Sequence, residues 1–193
     1  MFYLIIKHVH QPLQLIRKLK VISNFRKSQE LLRKNTDTSG NSYQNQILLT
    51  AKSSGEKKEF ISQVIAEWFE KKPLKFLKLC RRRKMEKILL SLHKKKYKLG
   101  VYSDYPANDK LKALGIFNYF NTIVSSNDPE VTGFKPHTNG FRIAAQRMGL
   151  DPAEIIYIGD RPEVDGKGAE EAGMKYINIS GNLEQQLSNL IEI

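Results

Sequence analysis

The chain has 193 residues, with 32 Lys+Arg against 20 Asp+Glu and a single cysteine, for a formal net charge of +12. That length suits one domain, or one domain with a modest inserted cap, and a core of this size needs no disulfide or metal staple. Cys80 stands alone, no apolar run reaches the roughly 20 residues that span a bilayer, and the short run Phe2–Ile6 leads to Lys7 without a small-residue cleavage site. An intrachain disulfide is excluded, and a reducing, cytoplasmic setting is the simplest expectation.

The charge is unevenly spread. Residues 1–100 hold 24 Lys+Arg and 7 Asp+Glu, a balance of +17, whereas residues 101–193 hold 8 and 13, a balance of −5. A basic half of this kind suits nucleic acid, an anionic membrane surface or a phosphorylated substrate.

Residues 2–34 read as helical, with Leu13, Ile16 and Leu19 at helical spacing and Pro12 breaking or starting a helix. Such a basic amphipathic helix either lies on a membrane surface, peripheral to it, or packs one face on its neighbours; packing is the reading adopted. Asn35–Asn45 is polar and turn-rich, which predicts a loop. Phe60, Ile61, Val64, Ile65, Trp68 and Phe69 then form a wide apolar stripe over Glu59–Glu70, stopped by Pro73. Cys80 precedes Arg81-Arg82-Arg83, and a half-buried, inert thiol is expected there. Met85, Ile88, Leu89 and Leu92 make a further helical stripe. The runs Arg81–Lys84 and Lys94–Lys96 read as solvated faces without interleaved aromatics, which makes nucleic acid a weak candidate.

After Tyr97 strands and helices alternate. Leu99–Ser103 and Thr122–Ser126 read as strands, and Asp109–Leu114 and Thr138–Met148 as helices stopped by Gly115 and Gly149. Ile143, Ala144 and Met148 are expected on one side of the second helix. In Glu154–Ile179 a strand, Ile155–Gly159, precedes an acidic turn, Asp160–Asp165, a short helix and a second strand, Lys175–Ile179. The continuous apolar run predicts a strand covered on both faces. A closing helix is expected over Leu183–Ile191. The alternation implies a parallel sheet, hence an α/β fold.

Three polar features fall at successive strand ends, where open α/β sheets place their chemistry. Ser103 precedes Asp104 near a helix start, where a hydroxyl and free N–H groups suit a phosphate oxygen. Lys135, in Gly133-Phe134-Lys135-Pro136, offers a point charge to phosphate or to a carboxylate. Asp160 and Asp165 either hold a hard cation such as Mg²⁺ or serve only as a turn that caps the next helix.

At these residues the chain resembles the haloacid dehalogenase (HAD) superfamily. The likeness covers residues 99–181 and rests on VYSDYP, on GFKPHTNGFRIAAQRMGLDPAEIIYIGD, on the acidic pair in GDRPEVD, and on GAEEAGM. The resemblance implies a Rossmann-like α/β core over residues 96–193 and a basic helical cap over 1–95. It implies a Mg²⁺-dependent phosphohydrolase acting on a small phosphorylated substrate through a phospho-aspartate. Ser103 and Lys135 would carry catalytic roles. Ser103, Asp104 and Lys135 would bind substrate, and Asp160 with Asp165 would hold Mg²⁺, Asp160 directly.

The family's leading motif, a strand ending in DxDGT with the nucleophilic aspartate, has no counterpart here; Asp37 reads as a loop residue. The family's central strand is thus expected to be missing between the strands ending at Ser103 and Asp160. Such a strand would lie upstream of Met1, come from a partner chain, or be replaced by Phe2–Ile6. The upstream origin is preferred, and weak or absent turnover is expected of the chain as it stands. The alternative function is a non-catalytic domain binding phosphate or an anionic membrane surface. Dehalogenation is disfavoured, because it needs no metal site.

Overall fold

The structure, a computed structural model, describes residues 12–34, 40–80 and 83–179. The expectations for Phe2–Ile6, Asp37 and Leu183–Ile191 lie outside the described residues. Pro12 opens α1 (Pro12–Lys34), a first-turn position where its fixed φ fits and its missing N–H is not needed. The face that α1 buries is set by Val21, Phe25, Ser28 and Gln29. Leu13 and Ile16 are off that line, and they are 81% and 63% exposed, so they are not part of a buried stripe.

The expected loop ends earlier than its composition suggests. Asn41 caps α2 (Ser42–Ser54), its side chain accepting the Gln44 N–H at 3.1 Å, and Gly55 closes the helix at φ +75°. The buried side of α2 is mostly polar: Ser42, Gln46, Ile47, Thr50 and Ser54. Most of these groups find partners, as buried groups generally do, although Gln46 Oε1 is left without one. Thr50 donates to the Gln46 carbonyl at 2.7 Å, and Gln46 Nε2 donates to the Phe25 carbonyl at 2.8 Å.

Helix α3 (Lys58–Ile65) runs on through a wider helical turn, Ala66–Lys71, and buries Ile61, Val64, Ile65 and Trp68, as the stripe predicts. With Val21, Phe25 and Ile47 these form one apolar cluster. The short helix α4 (Leu74–Leu77) leads to a turn, Lys78–Cys80, that buries nothing, so Cys80 is exposed rather than half-buried. Helix α5 (Arg83–Lys94) buries Ile88 and Leu89.

The second half alternates as expected: β1 (Gly100–Ser103), α6 (Asn108–Leu114), β2 (Thr122–Ser125), α7 (Asn139–Met148), β3 (Ile156–Gly159), α8 (Lys167–Glu171) and β4 (Lys175–Asn178). Gly115 and Gly149 end α6 and α7 in the left-handed region, at φ +72° and +61°, where a side chain would be strained. Strands β1 and β2 pair in parallel, with Tyr102 opposite Val124. Strands β3 and β4 also pair in parallel, with Ile158 opposite Ile177. The two pairs are separate ladders, and among the described residues no strand joins β1 to β3.

What spans the two pairs is aromatic packing. Phe141 on α7 is fully buried and meets Tyr102 of β1 and Tyr157 of β3 edge-to-face, at ring centroids of 4.9 and 4.8 Å. Val124, Val131, Ala145, Ala169, Ala172 and Met174 complete this core. Phe141 and Ala145 lead the buried side of α7, with Ile143 and Ala144 at its margin. Gly140 and Gly168 let the rings approach, since a Cβ on either would run into Tyr102 or Phe141. Strand β3 departs from expectation: Tyr157 faces the core, but Ile156 and Ile158 are 47% and 37% exposed. Alternation along the strand puts those two on the opposite face, which is therefore not fully covered.

Candidate functional site

Strand β1 ends at Ser103, whose Oγ accepts the Tyr105 N–H at 3.2 Å, a turn that bends the chain away from the sheet. That amide is therefore engaged within the protein. The next side chain, Asp104, is held from two sides. One of its oxygens accepts the Lys135 N–H at 3.2 Å, and the other accepts Arg33 Nη2 from the end of α1 at 2.7 Å. The Arg33 and Asp104 side chains are only 8% and 10% exposed. Tyr105 then enters the helical half, packing on Phe25 and Phe69 and donating to Gln29 at 2.7 Å.

Lys135 lies beyond β2 and points toward β3. Its ammonium donates to Asp165 Oδ1 at 2.7 Å and to the Tyr157 hydroxyl at 3.2 Å, and sits 5.5 Å from the centre of the Tyr102 ring. The phenol of Tyr157 in turn lies 3.3 Å from the Tyr102 carbonyl. One ammonium thus contacts groups of both strand pairs, which shows that the ends of β1 and β3 lie on one side of the molecule.

The acidic turn is more ordered than its composition suggests. Pro162–Gly166 forms a wide helical turn, with the Asp165 N–H on the Arg161 carbonyl at 2.6 Å. Asp165, expected in an open loop, is buried. Its second oxygen accepts the Arg161 N–H at 3.3 Å. Gly159 makes room for it, because a Cβ there would fall 2.6 Å from Asp165 Cβ. Asp160 is exposed at the end of β3.

Two carboxylates beside a phosphate are enough for Mg²⁺, which keeps several waters and takes one or two protein oxygens. Asp160, exposed at the end of β3, and Asp165, already bonded to Lys135, are the residues that would hold it. Among the described residues no three acidic, histidine or cysteine side chains converge, so the protein alone builds no closed cage. No described helix is long and apolar enough to cross a membrane.

The structure thus gathers Ser103, Asp104, Lys135 and Asp165 and leaves Asp160 at the rim. Sequence reasoning missed Arg33 and Tyr157. A polar-tipped aromatic inside the run Ile155–Ile158 was a usable signal for Tyr157, but nothing local marks Arg33.

Burial shifts the phenols here. Tyr157 is pushed well above the ordinary tyrosine range by burial and then by the nearby Asp165 and Asp104 charges. Tyr102 is raised by burial and then by Asp104, and in the helical half Tyr43 is raised to about 12, mainly by burial. A raised folded pKa gives stability that is fully present below the unfolded value, about 10, and lost as pH rises through the folded value. Alkaline titration should therefore show tyrosinate absorbance rising together with loss of far-UV circular dichroism. Complete ionisation near pH ~10 with the fold intact would contradict this.

The family model for haloacid dehalogenase-like hydrolases matches residues 15–179. Glyceraldehyde 3-phosphate phosphatase from Methanopyrus kandleri is 37% identical over 94 residues, covering 47% of this chain and 40% of that protein. Phosphoglycolate phosphatase from Escherichia coli is 31% identical over 70 residues, 36% of this chain and 27% of that protein. The chain spans less than half the length of these curated relatives. Among solved structures, β-phosphoglucomutase from Clostridium difficile aligns with a TM-score of 0.58 at 16% identity, covering 89% of this chain and 82% of that one. A HAD phosphatase from Thermococcus onnurineus aligns with a TM-score of 0.53 at 21% identity, covering 86% and 81%. Identities this low speak to the fold alone.

Proposed function

The chain belongs to the haloacid dehalogenase-like hydrolases, and from that premise we propose that its site binds the phosphoryl group of a small phosphorylated substrate. The observation that carries this reading is Lys135, a largely buried cation contacting Asp165 and the phenol of Tyr157 while its own amide is tied to the loop after Ser103. The phosphoryl group would rest between the Ser103 hydroxyl and the Lys135 ammonium. Lys135 offsets its negative charge, and the surrounding rings keep water from screening that attraction.

Mg²⁺ bound by Asp160, with Asp165 beside it, would polarise a phosphoryl oxygen. Hydrolysis through a phospho-aspartate needs a carboxylate in line with phosphorus. Asp104 is committed to Arg33 and to the Lys135 N–H, and Asp165 to Lys135. The helical half, residues 1–95 in this reading, would act as the cap that selects substrate, and the relatives suggest phosphorylated two- and three-carbon compounds. We therefore propose a phosphate-binding site of HAD phosphatase type with weak turnover in the chain as it stands.

A panel of phosphate esters assayed with Mg²⁺, alongside calorimetric binding of inorganic phosphate, tests both parts. The expected result is measurable phosphate binding, weakened but still measurable in Lys135→Ala, with little hydrolysis. Robust Mg²⁺-dependent hydrolysis by this chain would refute the weak-turnover part. Phosphate affinity unchanged by Lys135→Ala would refute the site.

A further inference from the structure

Arg33 belongs to the helical half, yet all its strong contacts near the site are with the α/β half. Nη2 donates to Asp104 Oδ2 and Nη1 donates to the Lys135 carbonyl, both at 2.7 Å. Asp104 closes the ring by accepting the Lys135 N–H through its other oxygen, at 3.2 Å. The carbonyl and the amide of one residue are therefore fixed by a single ion pair between two side chains no more than 10% exposed. The remaining nitrogen, Nε, lies 3.2 Å from Glu30 Oε1 on its own helix.

We propose that Arg33 is a positioning residue for Lys135, so that docking of the helical half is what places the Lys135 ammonium for phosphate. The proposal rests on the reading of Lys135 as the phosphate-facing cation. Arg33 acts through its neighbours. Its guanidinium is planar and has donors in fixed directions, so it can satisfy a carboxylate and a carbonyl at once where an ammonium would satisfy one. Charge-assisted bonds away from water hold their geometry more strongly than exposed ones. With its main chain held on both sides, Lys135 starts its side chain from a fixed base, and its ammonium reaches Asp165 and Tyr157. Without Arg33, Asp104 loses its cationic partner, and the loop from Gly133 to Pro136 loses its anchor on α1.

The test is a double-mutant cycle read by binding of inorganic phosphate in the presence of Mg²⁺, with circular dichroism confirming that each variant is folded. Arg33→Ala is expected to weaken phosphate binding about tenfold, and Arg33→Lys to recover part of that loss. In a Lys135→Met background, Arg33→Ala should cause no further loss, because it acts only through Lys135. In Arg33→Ala the Lys135 amide resonance should shift while amides remote from Asp104 stay in place, where a purely global effect would move both. The proposal is overturned if Arg33→Ala binds phosphate as the wild type does, or if its loss persists in the Lys135→Met background. Should Arg33→Ala not fold, Arg33→Lys carries the same cycle. A wild-type chain that binds no phosphate removes the proposed function, and this role with it. Normal phosphate binding with an additive cycle removes only the role of Arg33.

Discussion

Truncating Phe141 to alanine is expected to lower folding stability by about 4 kcal/mol. The ring is fully buried and contacts Tyr102 on one strand pair and Tyr157 on the other. Edge-to-face pairs of this kind add about 1 kcal/mol each beyond the area they bury. The cavity would not collapse easily, because Tyr102 and Tyr157 are held in their strands and the remaining side has little to move in. Gly168 has no side chain to move in, and its backbone is already close, with a built Cβ only 2.7 Å from the Pro136 carbonyl. Phe141→Leu keeps most of the volume and should cost no more than about 1.5 kcal/mol. Urea titration reads the difference as a lower midpoint at unchanged slope. A loss below about 1 kcal/mol for Phe141→Ala would mean that the two ladders do not depend on this ring.

The second large effect is at Asp165. Asp165→Ala is expected to cost about 3 kcal/mol, because it strands the Lys135 ammonium in a site where that side chain is only 12% exposed. The cost comes from leaving one charge behind, so removing both should be milder. The double variant Asp165→Ala with Lys135→Met should cost less than the sum of the two single changes by at least about 1 kcal/mol. Asp165→Asn, which keeps one acceptor oxygen, for Lys135 or for the Arg161 N–H but not for both, should fall between wild type and alanine. Thermal melts of the five proteins, wild type included, decide the matter. Strict additivity would show that the pair contributes no more than a surface ion pair does.

These expectations concern residues that the sequence marked to different degrees. Strand ends and glycine stops were legible because they depend on local chemistry: Gly115 and Gly149 adopt positive φ, and an apolar run beside a turn makes a strand. Ser103, Lys135 and Asp165 could be placed on one edge because topology alone puts successive strand ends together. Composition predicts loop up to Asn45, inside α2, because the buried side of that helix is Gln46, Thr50 and Ser54, whose burial depends on partners that hydropathy does not register. The burial of Asp165 follows from Gly159 and Lys135, and the clamp of Arg33 on Asp104 joins residues 71 positions apart. The uncovered face of β3 is equally invisible in a run that is apolar at every position.

Adjacent residues after β1 face both ways: Asp104 is bound to Lys135 and to Arg33 of α1, and Tyr105 is embedded among Phe25, Phe69 and Gln29 of the helices. No spacer separates them. In mechanical terms the joint has no slack, so a rotation of the helical bundle is delivered as torsion to the peptide next to Ser103. A displacement of the helices and a displacement of the loop that carries Lys135 are therefore linked through the same two side chains, Asp104 and Tyr105.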